Sequence, residues 1–209
     1  MIMIADRTLG RLVEQTRPHM GTGYEPEAIQ ALNLDHDGQY LYAMATNRYT
    51  LAVSRTRITD GSDEPWSAAV SRVQVPELKA AIRLLDQKSI TLEHTGGQLI
   101  LSGESGTRIA IDLLPSDKGP LDWRKLLLPA LEKKAAASRM AMSPKYFGAW
   151  KNLPGPVEMW STGENKMALI VAADFLGAQM PVRREGEDAT LRRELDSWKP
   201  AAPALAAAA

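Results

Sequence analysis

One phrase is written three times along this chain. Each copy opens with a helix-starting residue (Asp6, Pro76, Pro144) and continues through an amphipathic stretch (RTLGRLVEQT, ELKAAIRLL, KYFGAWKNL). Each then closes with two alternating strands around a turn that holds Gly38, Gly97 or Gly163. The unit reads as βαβββ and recurs about every 60 to 70 residues, a period that any fold assigned to the chain has to accommodate. Single helices separated by runs of hairpin-linked strands make an α+β pattern with antiparallel sheets and helices on one face.

Residues 1 to 5 read as a strand. Asp6 is the expected N-cap of a helix through about His19, with Leu9, Leu12 and Val13 on one face. GTG at 21–23 ends it, and ALNLDHDGQYLYAMA then alternates on either side of Asp37-Gly38, residues that tolerate a hairpin turn. YTLAVSRTRI adds a strand, and TDGSDEP at 59–65 reads as a polar linker. The second copy runs from Ala68 with Pro76 at the first helical position, and the third runs from Ser138 through Val182. This divides the chain into a complete unit at 1–114, a connector at 115–137, a half unit at 138–183 and a tail at 184–209. In the tail Leu191, Leu195 and Trp198 suit one short helix before an Ala/Pro run that cannot support a core.

Composition narrows the function classes. Cysteine is absent, which removes disulfides, thiolate zinc sites and cysteine nucleophiles and agrees with a reducing, cytoplasmic setting. No apolar run approaches the ~18 residues a membrane span needs. Lys plus Arg equals Asp plus Glu at 25 each, so any affinity for nucleic acid has to come from local segregation of charge. The histidines are His19, His36 and His94; His36 in DHDG and His94 beside a Gly-Gly turn read as solvated surface groups rather than ligands or bases. Asp35 and Asp37 read as turn residues bonding their own backbone, not as metal ligands. Neither GTG nor GESG at 103–106 has the spacing of a phosphate cradle, and Trp123, Trp150 and Trp160 fall where core aromatics fall. No nucleophile is paired with a base and no cofactor signature is present, so a non-enzymatic role is expected.

Three segments carry a resemblance. ATNRYTLAV (45–53) is similar to the Ala-Thr-Asp-Gly-His-Arg-Leu-Ala segment of the bacterial beta sliding clamp, the processivity subunit of the replicative DNA polymerase. DWRKLL (122–127) resembles that family's Asp-Tyr-Arg-Arg segment between its second and third domains. FLGAQMPVR (175–183) resembles the Met-Pro-Met-Arg ending of its third domain. Their order, over a repeat that is also the clamp half-domain, implies the DNA-clamp fold from about residue 3 to 183. Residues 1–114 resemble the complete middle domain and 138–183 the second half of the last domain; the first domain and one half-domain have no counterpart. Asn47 and Arg48 stand where the family has Asp-Gly, and Leu121 stands where its connector has proline.

The resemblance implies a groove that captures short peptides of a DNA polymerase or other clamp-binding proteins. Carried over, its lining is Thr46, Tyr49 and Leu51, then Leu121, Lys125 and Leu126, then Met180, Pro181, Val182 and Arg183. The competing reading makes Leu51, Met180 and Val182 ordinary core. It also implies weak, sequence-independent contact with DNA from the helix faces that carry Arg7, Arg11, Lys79, Arg83, Lys145 and Lys151, against a reading of these as solvated faces. An unpaired third copy predicts self-association into a homo-oligomer through 138–183. Two function classes follow: a sliding-clamp-like replication factor, or a clamp-derived interaction module (decoy, regulator or resistance factor) without a DNA-encircling ring.

Overall fold

Two antiparallel sheets run through the chain, and the first two copies of the repeat share their strands. The computed structural model describes residues 1–182 except 6, 62–63, 86–88, 116, 118–120, 134–139 and 164. The expected N-cap role of Asp6, the start of the third copy at Ser138, Arg183 and the Leu191–Trp198 helix lie outside the described residues. The first copy comprises β1 (Ile2–Ala5), α1 (Thr8–Thr16), β2 (Ala31–His36), β3 (Tyr40–Thr46) and β4 (Thr50–Arg57). Within the expected polar linker, β5 (Asp60–Gly61) pairs with β1, so those two residues extend a sheet. The second copy comprises β6 (Trp66–Ser71), α2 (Val75–Leu85), β7 (Ser89–His94), β8 (Gln98–Gly103) and β9 (Arg108–Asp112). After it come α3 (Trp123–Leu131), a 3-10 segment (Pro144–Trp150), β10 (Glu158–Ser161), β11 (Ala168–Ala172) and β12 (Phe175–Gln179).

The five-stranded sheet has the order β5-β1-β7-β8-β9, and the seven-stranded sheet the order β10-β11-β12-β4-β3-β2-β6. Strand β1 of the first copy thus joins the second copy's sheet (Ile4↔Ile90), while β6 of the second copy joins the first copy's sheet (Leu32↔Val70). This exchange fuses residues 1–114 around one core, in which Ile4, Leu12, Leu34, Leu78, Leu92 and Leu101 are fully buried. Helix α1 packs on β3 and β4, α2 packs on β8 and β9, and the two helices touch each other.

Helix α1 ends at Thr16, short of the expected His19, and Arg17–His19 continue as a 3-10 turn. Pro18 is the cause: it has no N–H to give the carbonyl of Glu14, and its ring crowds that turn. The freed Glu14 carbonyl is taken by Asn152 Nδ2 at 2.8 Å, which ties the third copy to the first.

The third copy departs from the pattern. Its predicted amphipathic helix is the 3-10 segment 144–150, with no fully buried residue, and residues 140–143 form no strand. Gly148 weakens a helix at mid-span, and Trp150 supplies most of its apolar anchor. The copy nonetheless covers the β4 edge of the first unit, because β12 pairs with β4 from Phe175↔Ser54 to Gln179↔Thr50. The third copy thus has one edge of its sheet paired and one open: the seven-stranded sheet ends in β10, which pairs with β11 alone, and at its far side in β6.

The connector contains a helix the repeat gave no notice of. Asp122 caps α3, its carboxylate accepting from the N–H groups of Arg124 (3.1 Å) and Lys125 (3.4 Å). Trp123, Leu127 and Ala130 recur at helical spacing and are buried against Tyr42, Met44, Leu51, Val53, Leu169 and Ala178. Helix α3 therefore covers the face of the seven-stranded sheet opposite to α1.

Candidate partner groove and basic helix face

A polar anchor fixes the angle of α3. The Arg124 guanidinium is hydrogen-bonded to the Asp35 carboxylate and lies 3.6 Å from that of Asp37. It also spans the rings of Trp123 (4.5 Å) and Tyr42 (4.8 Å). Trp123 Nε1 donates to Asp35 at 3.3 Å, and the Tyr42 hydroxyl donates to Asp37 at 2.8 Å. Asp37 also accepts the N–H groups of Gln39 and Tyr40, and these bonds with Arg124's charge hold its carboxyl below the usual range against the opposing effect of burial. Asp37 is thus the expected turn residue. Asp35 is not: its carboxylate serves Arg124, Trp123 and Ser67 instead of its own backbone.

With α3 so placed, three segments converge. Thr46 and Leu51 are cross-strand partners on the sheet face under α3, and Leu51 is buried with Leu121 packed beside it. The next outward positions of α3 are exposed: Leu126 is 50% accessible, and Lys125 extends into solvent while pairing with Asp122 at 3.2 Å. The chain leaving β12 stays on β4, because Met180 N donates to the Tyr49 carbonyl at 2.8 Å. Val182 N then donates to the Ala141 carbonyl at 2.7 Å. Met180 and Val182 are 43% and 45% accessible, Pro181 is half-buried, and Tyr49 stacks on Tyr146 at 5.4 Å. Leu51 and Leu121 thus sit in packed positions, while Tyr49, Leu126, Met180 and Val182 are exposed. The Thr46 hydroxyl is spent inside the β3–β4 turn, donating to Thr50 O and accepting from Arg48 N. Beyond the start of α3 a cavity of about 350 Å³ opens between Leu121 and Trp123 of the connector and Asn33, Met44 and Ser67, the last three being residues the motifs did not point to.

That turn carries the Asn47-Arg48 departure. Asn47 Oδ1 accepts from Tyr49 N, Thr50 N and Thr50 Oγ1, all within 3.1 Å, as an aspartate would. Arg48 holds a left-handed φ of 71°, a conformation that suits the glycine it replaces.

The basic residues divide. Lys79 and Arg83 of α2 line a cavity of about 460 Å³ together with Arg17 and Arg72, two cations absent from the expected DNA-facing set. Lys79 reaches Glu14 at 2.6 Å, and Arg17 approaches the same carboxylate at 3.9 Å. The hydrogen bond from Lys79, with the charges of Lys79, Arg17 and Arg83, lowers the Glu14 pKa against the opposing effect of burial. Arg11 is turned the other way, its guanidinium on Gln15, Ser54 and the Arg55 carbonyl over β4. Arg7 opens α1 with a left-handed φ of 57°. Lys145 lies 5.7 Å from the Tyr146 ring, on the groove side, and the exposed Lys151 adjoins the Asn152 contact with α1.

Two histidines are not the surface groups expected. His36 is 1% accessible inside β2, its ring 5.8 Å from Trp66, because the strand runs one residue further than the turn motif suggested. His94 is half-buried and stacks on the other flank of Trp66 at 5.3 Å, and burial lowers its pKa. Trp123 is core, as expected, whereas Trp160 is exposed on β10. Among the described residues no cluster of His, Asp and Glu is arranged to hold a metal, and no helix is long and apolar enough to cross a membrane.

Solved structures share this arrangement, an intertwined pair of α+β halves whose sheet runs on through β4 into a further half. The chain superposes on the DNA polymerase sliding clamp of Bacillus subtilis with a TM-score of 0.68 at 17% identity, over 88% of this chain and 64% of that one. The chain has the sliding-clamp fold. The clamp from Pseudomonas aeruginosa gives a TM-score of 0.69 at 15% identity over 87% of this chain and 66% of the other. The DNA polymerase III beta subunit from Thermotoga maritima gives 0.66 at 11% over 91% and 66%. The chain thus spans about two thirds of the length of these clamps. No family model matches it, and no curated protein matches it in sequence.

Proposed function

We propose that the chain is a sliding-clamp-like factor of DNA replication that tethers partner proteins through the groove between α3, β4 and residues 180–182. The observation that carries this reading is the division at the groove between packed floor and open apolar rim, in a clamp fold. Leu51 is 7% accessible beside Leu121 and Leu127, whereas Leu126, Met180 and Val182 are near half-accessible. An extended peptide with apolar anchors needs such a cleft, and Lys125 at its rim suits an acidic flank. The role is to hold partners, polymerase among them, and requires no catalysis. In the same reading the α1 and α2 side, with Arg17, Lys79 and Arg83, meets duplex phosphates weakly and with marked salt dependence. Homo-oligomerisation at the β10 edge and a cytoplasmic setting belong to this proposal as well.

A titration of a fluorescent clamp-binding peptide, followed by anisotropy, tests the groove. Leu126→Ala and Met180→Ala should each weaken binding by about 1 to 3 kcal/mol, the range of interface anchors. Their thermal stability should change little, because both side chains are half-exposed. Leu51→Ala should lose stability along with binding. A wild-type chain that binds no peptide at high micromolar concentration contradicts the groove.

One observation favours a second reading. Arg11 is committed to the sheet, and Glu14 is shared between Lys79 and Arg17, offsetting one charge, so the helix face holds fewer available charges than its sequence promises. A clamp-derived interaction module that keeps the groove and dispenses with the DNA ring fits that face.

A further inference from the structure

The cavity between the end of α1 and the start of α2 is more than a stretch of helix surface. Its walls carry four cations, Arg17, Arg72, Lys79 and Arg83, and no carboxylate, in a volume of about 460 Å³. Arg72 comes from the turn after β6, and its Nη1 is pinned by the Gly21 carbonyl at 2.7 Å, which fixes the guanidinium at the cavity wall. Arg83 has no ion pair or hydrogen bond among the described residues. Three acids lie nearby outside the lining: Glu14, shared by Lys79 and Arg17, Glu25, whose carboxylate accepts from Thr22 N next to Gly21, and Glu77 in the first turn of α2. Val75 and Pro76 of the first turn of α2 complete the wall, so the positive end of that helix adds to the field.

We infer that this cavity is a binding site for an anion carrying two or more linked phosphate groups. Four cations in the lining and no carboxylate among them focus positive charge on one concave volume. Like charges held that close repel one another, and an anion with several charges on adjacent groups relieves the repulsion. A duplex backbone offers one negative charge per phosphate, spread along a convex strand, and meets such a cavity with a single group at a time. A diphosphate or triphosphate delivers its charge to one place. The guanidinium forks of Arg17, Arg72 and Arg83 match phosphate oxygens two at a time, and Lys79 acts as a point charge. Glu14 then serves as a counter-ion in the empty state, holding Lys79 and Arg17 until the ligand displaces it.

Calorimetric titration of the full chain with sodium tripolyphosphate tests the site, with sodium sulfate at matched ionic strength as a control. Tripolyphosphate should bind saturably at one site per chain and sulfate far more weakly. The double variant Arg72→Gln, Arg83→Gln removes two charge-assisted contacts and should weaken binding by about tenfold or more. Neither side chain bonds another side chain among the described residues, so the variant should fold, and circular dichroism checks that it does. Glu14→Gln removes the competing carboxylate and should tighten binding severalfold, a change in the direction opposite to damage. Competition with a duplex oligonucleotide identifies the source. Displacement means that backbone phosphates share the site, and no displacement means that small polyphosphates alone occupy it. Absence of saturable binding at millimolar tripolyphosphate, sulfate binding as tightly, or an affinity unchanged in the double variant overturns the inference. The peptide titration at the groove is unaffected by any of these results, so the two proposals fail separately.

Discussion

His19 shows how one buried side chain ties two repeat copies together. It is fully buried, Nδ1 lies 3.0 Å from Thr50 Oγ1, and its ring is 4.2 Å from that of Trp150 in the third copy. Burial pushes its pKa down to about 4, outweighing the nearby Ala149 carbonyl, which favours the proton. The unfolded chain therefore takes up a proton near pH 6.5 that the folded chain refuses until about pH 4. Stability should fall as pH drops through that window, by roughly 3 kcal/mol in all at 1.36 kcal/mol per unit. Urea denaturation at several pH values checks this, and His19→Gln should flatten that slope. At Arg48 the left-handed backbone strains a residue with a Cβ. Arg48→Gly should raise stability by up to ~1 kcal/mol, since the strain relieved exceeds the glycine's added chain entropy. Sequence alone disclosed the loop departure at Asn47-Arg48 but not the conformational price. It misplaced His36 and Asp35, because a turn motif gives no sign of whether a strand buries the residue before it.

At the scale of elements, the strands and the first two helices were legible because their period-2 and period-3.6 patterns coincide with burial. Helix α3 was not, since Pro129 sits inside it and only Asp122 with the Trp123, Leu127, Ala130 spacing marked it. The third copy erred the other way, its sequence promising an α-helix where a 3-10 segment forms. That segment is held chiefly by Trp150, whose ring lies directly on β12 and whose Nε1 donates to Gln179 at 2.8 Å. A Cβ on Gly177 would sit 2.7 Å from the Trp150 ring. Gly177→Ala should therefore displace Trp150 and destabilise the chain by about 1 to 3 kcal/mol, as overpacking does. Thermal melts with tryptophan fluorescence read both effects. Of the proposed groove, the motifs supplied the rim and floor residues, whereas the Arg124 anchor to Asp35 and Asp37 that sets the helix angle needed three dimensions.

On the scale of the whole molecule, the resemblance of three ordered motifs, laid over the repeat, implied the clamp fold, while the exchange of β1 and β6 between copies and the β12–β4 seam came only with the structure. The β12–β4 seam closes one edge of the third copy and leaves its other edge, β10, as an outer strand of the seven-stranded sheet. Met159 and Trp160 on that strand are 49% and 43% accessible, and an unpaired edge with apolar side chains is a template for pairing with another chain. A two-fold pairing of β10 with its copy would continue the sheet from one chain into the next and begin a ring. A monomer cannot surround duplex DNA, so the sliding-clamp reading stands or falls on assembly. Light scattering at tens of micromolar chain is the direct measurement: the account predicts a mass of two chains or more, returning toward one chain in Met159→Lys. A wild-type mass of one chain across that range would contradict it and leave the groove as an interaction module.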